Sequence, residues 1–215
     1  MEPNTQPTSI SAPRRSLLES LALIIIVFTG GAAVMIFEFI AVRMLQRFYG
    51  SSLDVWAAEI SVCLVALAIG YSLGGFLADR FHSWMILGAA LLVAGVSAVF
   101  MEQLVVWSAQ TLISGETMRW WEPLAASAIA TFVPLLALGT VMPQAIRLHV
   151  RRFERVGASA GRVAALSTVG SVCGTLATSS LFVQWGVRES LYVTCADLIA
   201  LGVIIMVVQL ACNRI

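Results

Sequence analysis

LESLALIIIVFTGGAAVMIFEFIAVRML, residues Leu18 to Leu45, is too long and too apolar a run for the surface of a soluble domain. A helix needs about 20 such residues to cross about 30 Å of hydrocarbon, and this run exceeds that with Glu19, Glu38 and Arg43 as its charged members. Five further runs of the same kind follow, at Trp56 to Ala78, Trp84 to Trp107, Pro123 to Leu148, Val163 to Trp185 and Leu191 to Ala211. The chain as a whole agrees, being 59% hydrophobic and 12% charged, about half the charge of an ordinary globular surface. With a mean hydropathy of +0.90 there is too little polar surface to wrap the apolar volume in water. That excludes a cytosolic enzyme, a nucleic-acid binder and a disordered tail. The expected fold is an all-α integral membrane bundle of six transmembrane helices, with a flexible tail over residues 1–16 and a single domain over residues 17–215.

All 13 basic residues are arginine, and their placement orients the helices. Nine fall on one side: Arg14, Arg15, Arg80, Arg147, Arg151, Arg152, Arg155, Arg162 and Arg214. Arg43, Arg47, Arg119 and Arg188 fall on the other. Positive charge accumulates in cytoplasmic loops, so both termini are expected in the cytoplasm of a bacterial-type inner membrane. Trp56, Trp107, Trp120, Trp121 and Trp185 then lie at outer helix ends, where indole rings anchor at the lipid–water boundary. Arg14-Arg15-Ser16-Leu17-Leu18 has the look of a twin-arginine export signal, but the apolar run behind it is longer than an export core, so the first helix is expected to be retained. Cys63, Cys173, Cys195 and Cys212 all sit in apolar stretches without a CxxC pair and are read as small hydrophobes. His82 and His149 fall at cytoplasmic helix ends, so no metal or cofactor is expected.

Lipid offers no hydrophobic drive for helix association, so close contacts need small residues. Gly70-x3-Gly74, Gly170-x3-Gly174 and the Gly30-Gly31-Ala32-Ala33 run supply three candidate packing faces, serving either static packing or a sliding contact. Pro134 and Pro143 interrupt the fourth run and free backbone carbonyls there, which permits a kink beside a cavity. Arg151 to Arg162 reads as a basic cytoplasmic loop in contact with anionic headgroups.

Ionisable groups at membrane depth are costly, so each asks for a partner or a purpose. At about 1.5 Å per residue, Glu38 lies roughly 8 Å, Glu59 roughly 12 Å, Glu102 roughly 9 Å and Asp197 roughly 6 Å outward of their helix midpoints. Arg43 shares the depth of Glu59 on the neighbouring helix, so an Arg43–Glu59 ion pair is expected. Glu38, Glu102 and Asp197 then lack an arginine. Either they converge on an outward-opening acidic pocket suited to a cation or protons, or Glu59 and Glu102 reach the outer interface while Asp197 or Glu38 bonds to Ser127, Thr131 or Thr168.

The segment Gly70-Tyr71-Ser72-Leu73-Gly74-Gly75-Phe76-Leu77-Ala78-Asp79-Arg80 resembles the loop motif joining the second and third helices of the major facilitator superfamily. There the glycines permit tight helix contact and the Asp-Arg pair closes the cytoplasmic side; here the motif's basic tail is replaced by Phe81-His82-Ser83-Trp84. A wider pattern is similar to the membrane domain of the spermidine synthase-like family, a facilitator-like half usually fused to a polyamine aminopropyltransferase. It comprises Gly30-Gly31-Ala32, Glu38, Arg43-Met44-Leu45 and Phe48-Tyr49-Gly50-Ser51-Ser52, then Pro143-x3-Arg147-Leu148, Gly157-x3-Gly161 and Ser167-Thr168-Val169-Gly170-x3-Gly174, with Ser167 where that family usually has Asn. The likeness spans about residues 21 to 190. It implies half of a major-facilitator-like bundle and a link to polyamines.

No GxGxxG follows a strand-like run, no Ser/His/Asp or Cys/His set is evident, and the chain ends at Ile215 after the sixth run, so it is not expected to be an enzyme by itself. Two functions remain. One is a membrane anchor or subunit for a partner protein, the acids being paired inside the bundle. The other is a transporter or sensor, working as a homodimer or with a second subunit, in which Glu38 contacts a polyamine or another small cation, Glu102 and Asp197 assist, and Asp79 and Arg80 shape the cytoplasmic closure.

Overall fold

The computed structural model describes residues 17–81, 83–113, 119–149 and 156–212. Among the described residues the chain is all helix: α1 (Leu17–Tyr49), α2 (Leu53–Arg80), α3 (Trp84–Val99), α4 (Met101–Leu112), α5 (Trp121–His149), α6 (Val156–Gln184) and α7 (Val187–Cys212). Five of these are long and apolar enough to cross a membrane, and α3 with α4 makes a sixth span bent by 48°. The protein is an all-α membrane bundle. The expected tail at residues 1–16 and the arginines from Arg151 to Arg155 lie outside the described residues.

Two boundaries differ from the sequence expectation. The third span breaks at Phe100, one turn after Ser97, whose Oγ–H donates back to the carbonyls of Val93 at 2.6 Å and Ala94 at 3.2 Å. The Phe100 amide then bonds to Ser97 O at 3.2 Å, in a tighter turn than the α-helix makes. The fifth span starts at Val156, so Gly157, Gly161 and Arg162 stand on α6 and do not form a loop. Two sharp turns each need a left-handed residue, Gly50 (φ 75°) between α1 and α2 and Gly186 (φ 89°) between α6 and α7.

Glycines weld the helices into three pairs. On α6 versus α1, a Cβ at Gly170 would strike Phe28 O and one at Gly174 would lie 2.5 Å from Ala32 O, while Ser171 Oγ–H donates to Gly31 O at 3.0 Å. On α2 versus α5, a Cβ at Gly70 would lie 2.5 Å from Leu136 O and one at Gly74 2.6 Å from Thr140 Cα. On α3 versus α7, a Cβ at Gly202 would lie 2.8 Å from Gly88 O and one at Gly95 2.7 Å from Ile199 Cγ1. The first two pairs use the faces read from the sequence, and the third uses glycines outside any GxxxG spacing. Gly75 faces open space.

The pairing has an internal symmetry. Exchanging α1 with α5, α2 with α6 and α3 with α7 turns the α1·α6 contact into α5·α2, α1·α2 into α5·α6 and α3·α5 into α7·α1, and leaves α3·α7 in place. Because successive spans alternate in direction, α1 and α5 run oppositely, and the helix pairing follows the pattern of two inverted three-span repeats, with α4 outside it.

Candidate functional site

At the end of the bundle holding Tyr49, Leu53 and Trp121, the acids of α1 and α2 meet the hydroxyls of α5. Glu59 is 0% exposed, and Ser127 Oγ–H donates to its Oε2 at 2.5 Å. Thr131, one turn further along α5, is equally buried, and its hydroxyl donates to Ser127 O at 2.9 Å. The other oxygen, Oε1, has no hydrogen-bond partner. Cys63 lies one turn along α2 from Glu59, and its Sγ–H donates to Glu38 Oε2 at 3.8 Å. Glu38 is half-buried on α1 and close enough to Glu59 for their charges to interact. The neighbouring Phe39 ring packs edge-on against Trp56, centroids 5.9 Å apart, and closes the side of the pair.

Among the described residues, neither Glu38 nor Glu59 has an arginine within ion-pair distance. The Arg43–Glu59 pair expected from depth does not form, because Arg43 is exposed while Glu59 turns inward to Ser127. Shared depth on adjacent helices leaves the rotation about each axis open. The proposed trio of Glu38, Glu102 and Asp197 does not converge either. Glu102 stands in the first turn of α4 and pairs with Arg188 at 3.0 Å, reached because the break at Phe100 swings α4 toward the start of α7. Asp197 is exposed on α7, away from the acids.

One turn from Glu38 along α1, and one turn from Cys63 along α2, the helices part. A cleft of about 30 Å³, room for roughly one water, lies between Gly30 and Val34 of α1, Leu67 and Tyr71 of α2, Leu138 of α5 and Ser167 of α6. It therefore sits between α1, α2, α5 and α6, with Glu38 one helical turn beyond Val34 and Glu59 two turns beyond Leu67. A further acid, Glu122, is 3% exposed at the start of α5 and lies near the buried Tyr49 hydroxyl, which has no partner.

At the opposite end, Asp79 approaches Arg147 of α5 at 3.9 Å, with its side chain 83% exposed, and Arg80 lies over the Phe81 ring at 5.8 Å. Asp79 and Arg80 are thus engaged with different groups. Next to them the Gln144 amide is buried with neither its donor nor its acceptor satisfied.

Sequence reasoning assigned Ser127 and Thr131 to the wrong acid and overlooked Cys63 and Glu122. The signal was spacing, since Glu59 and Cys63 on α2 and Ser127 and Thr131 on α5 are each four apart and each share one helix face. Compared with known proteins, the chain matches no family model, no curated protein and no solved structure.

Proposed function

We propose that the chain is a membrane transport module in which the Glu38–Glu59 pair holds a proton or a small cation. The observation that carries this reading is the fully buried Glu59 carboxyl, with one oxygen on Ser127, the other without a partner, and Glu38 held against the same helix by Cys63 one turn away. Two carboxyls at membrane depth without an arginine call for positive charge from elsewhere. The inverted repeats support the same reading, because transporters of that architecture place coupling ions where the repeats meet. The cleft one to two turns from the acids has room for roughly one water, so a polyamine, implied by the family resemblance, requires it to widen. The arginine bias supports an orientation with the acid pair toward the outside, in keeping with the bacterial-type inner membrane expected from the sequence.

A second reading, a membrane anchor for a partner protein, is favoured by the bareness of α2 and α6, whose spans are only 28% and 18% buried inside the bundle. The two readings separate in liposomes. Purified protein is reconstituted around a pH-sensitive dye, and proton movement is followed with sodium, potassium or spermidine gradients imposed. Wild type should move protons or bind one of these cations saturably by thermal shift, and Glu59→Gln and Glu38→Gln should abolish both while remaining folded. A folded wild type indifferent to all of them overturns the transport reading in favour of the anchor.

A further inference from the structure

We propose that the bent third span carries a site for one phospholipid whose headgroup holds a phosphate and a primary ammonium, as that of phosphatidylethanolamine does. The site shares no residue with the Glu38–Glu59 pair and holds whatever that pair binds. At Phe100 the span turns by 48°, and a hollow lies on each of two sides of α4. The first, of about 410 Å³, runs between Phe100, Leu104 and Trp107 on one side and Ile129, Val133 and Pro134 of α5 on the other. The second, of about 360 Å³, runs between α4 and the start of α7 and holds Glu102, Gln110 and Arg188. Gln103 and Trp107 border both, so one molecule can straddle that ridge of α4. Each hollow alone has the size of an ordinary small-molecule site, about 300–1,000 Å³.

Depth selects a lipid as the occupant. Successive spans alternate in direction, so α7 begins at the acid end of the bundle, and Arg188 stands in its first turn. Pro134 falls at the middle of α5, so the apolar hollow reaches mid-membrane, where the acyl chain of one leaflet ends. The charged hollow lies on the other side of Trp107, with Gln110 one turn further toward the acid end. Charge then selects the headgroup. Arg188 Nε stands 3.0 Å from Glu102 Oε2, yet that oxygen is buried and makes no hydrogen bond, so the two groups touch without the alignment of one. The Arg188 side chain is largely exposed, and its remaining N–H groups form the fork that suits a phosphate. A phosphate that draws the guanidinium outward leaves the carboxylate to accept from an N–H donor. One cation and one carboxylate in a single hollow thus match a zwitterion. A headgroup with phosphate alone meets Glu102 as a like charge, and a quaternary ammonium has no N–H to give.

Native mass spectrometry of the purified full chain tests this, with phosphatidylethanolamine, phosphatidylcholine and phosphatidylglycerol of identical acyl chains titrated in turn. Wild type should hold the first about tenfold more tightly than the other two, roughly what one hydrogen bond to a charged group is worth. Glu102→Gln should erase the preference for ethanolamine over choline, and Arg188→Gln should weaken all three lipids. Val133→Trp, at an exposed wall of the apolar hollow, should weaken all three and keep their order. Soluble phosphoethanolamine, which has no chain, should not compete at the concentration of the lipid. Wild type alone decides the main point: equal retention of the three lipids, a preference for choline or glycerol, or no retention overturns the proposal. An ethanolamine preference that survives Glu102→Gln overturns it too, and so does competition by phosphoethanolamine. Proton and cation assays report on the acid pair separately, so either reading can fail alone.

Discussion

Replacing Gly174 by alanine should pry α1 from α6. The new Cβ would lie 2.5 Å from the Ala32 carbonyl oxygen and 2.8 Å from its Cα, where ordinary contact begins near 3.4 Å, so the two backbones must part by 0.9 Å at the crossing. The atoms struck belong to a helix backbone, which cannot rotate away as a side chain would. A gap of that size forfeits about a quarter to a half of the attraction of each facing atom pair. Overpacking of this kind costs about 1–3 kcal/mol, against which alanine's better helix propensity returns less than about 1 kcal/mol. Gly161 provides the control on the same helix, since a Cβ there meets nothing within 4 Å. Gly161→Ala should be neutral or gain about 0.4–1 kcal/mol. Unfolding free energies in detergent micelles, measured by a steric trap on each variant, give the comparison directly. Equal stability of Gly174→Ala and Gly161→Ala would refute the close α1–α6 crossing.

The remaining expectations concern the polar residues. Ser127→Ala leaves the Glu59 oxygen buried without its donor and should lower stability by about 1–2 kcal/mol in the same unfolding assay; an unchanged value would mean that the two side chains do not meet. Asp197→Leu should favour membrane insertion of α7 by about 3 kcal/mol, read by glycosylation mapping, and leave cation or proton responses untouched; loss of those responses would return Asp197 to the site. Glu102→Gln should leave the thermal midpoint almost unchanged at high salt and lower it slightly at low salt, because its partner Arg188 is exposed and screened; a large loss at both salts would show that the pair is sealed from solvent.

The number of spans and most of their limits were legible because hydrocarbon thickness sets a length that any apolar run can be measured against. The α1–α6 and α2–α5 contacts were legible too, since Gly170, Gly174, Gly70 and Gly74 repeat at the spacing of one helix face. The α3–α7 contact was not, because Gly88 and Gly95 stand two turns apart and Gly202 is alone on its helix. The site was legible only in part. Depth follows from counting residues, and it put Glu38 and Glu59 at similar levels. Which way a side chain faces depends on the rotation of its helix, which the contacts of the whole bundle set. Depth alone therefore paired Glu59 with Arg43, while rotation gave it Ser127. Glu102 was misplaced for a different reason, the bend at Phe100, which no proline or glycine between Ser97 and Glu102 announces.

The inverted repeats also account for the uneven chemistry of the site. Exchange of the repeats carries α1 and α2, which bear Glu38 and Glu59, onto α5 and α6. At the acid end of the bundle α5 answers them with the hydroxyls of Ser127 and Thr131, although its first turn also carries the buried Glu122. A donor holds one carboxyl oxygen in a fixed direction without neutralising it, whereas an arginine in the same place would cancel the charge. The repeat that could have supplied a cation instead supplies hydroxyls, and the unpartnered Oε1 of Glu59 is what remains over. If the pair were structural, neutralising it without changing its shape should stabilise the bundle, since Ser127 and Thr131 are 0% exposed and leave no room for a longer side chain. The double variant Glu38→Gln with Glu59→Gln would then unfold in micelles at an equal or higher free energy and leave proton or cation responses intact, whereas a cation-holding site predicts a folded protein in which those responses vanish.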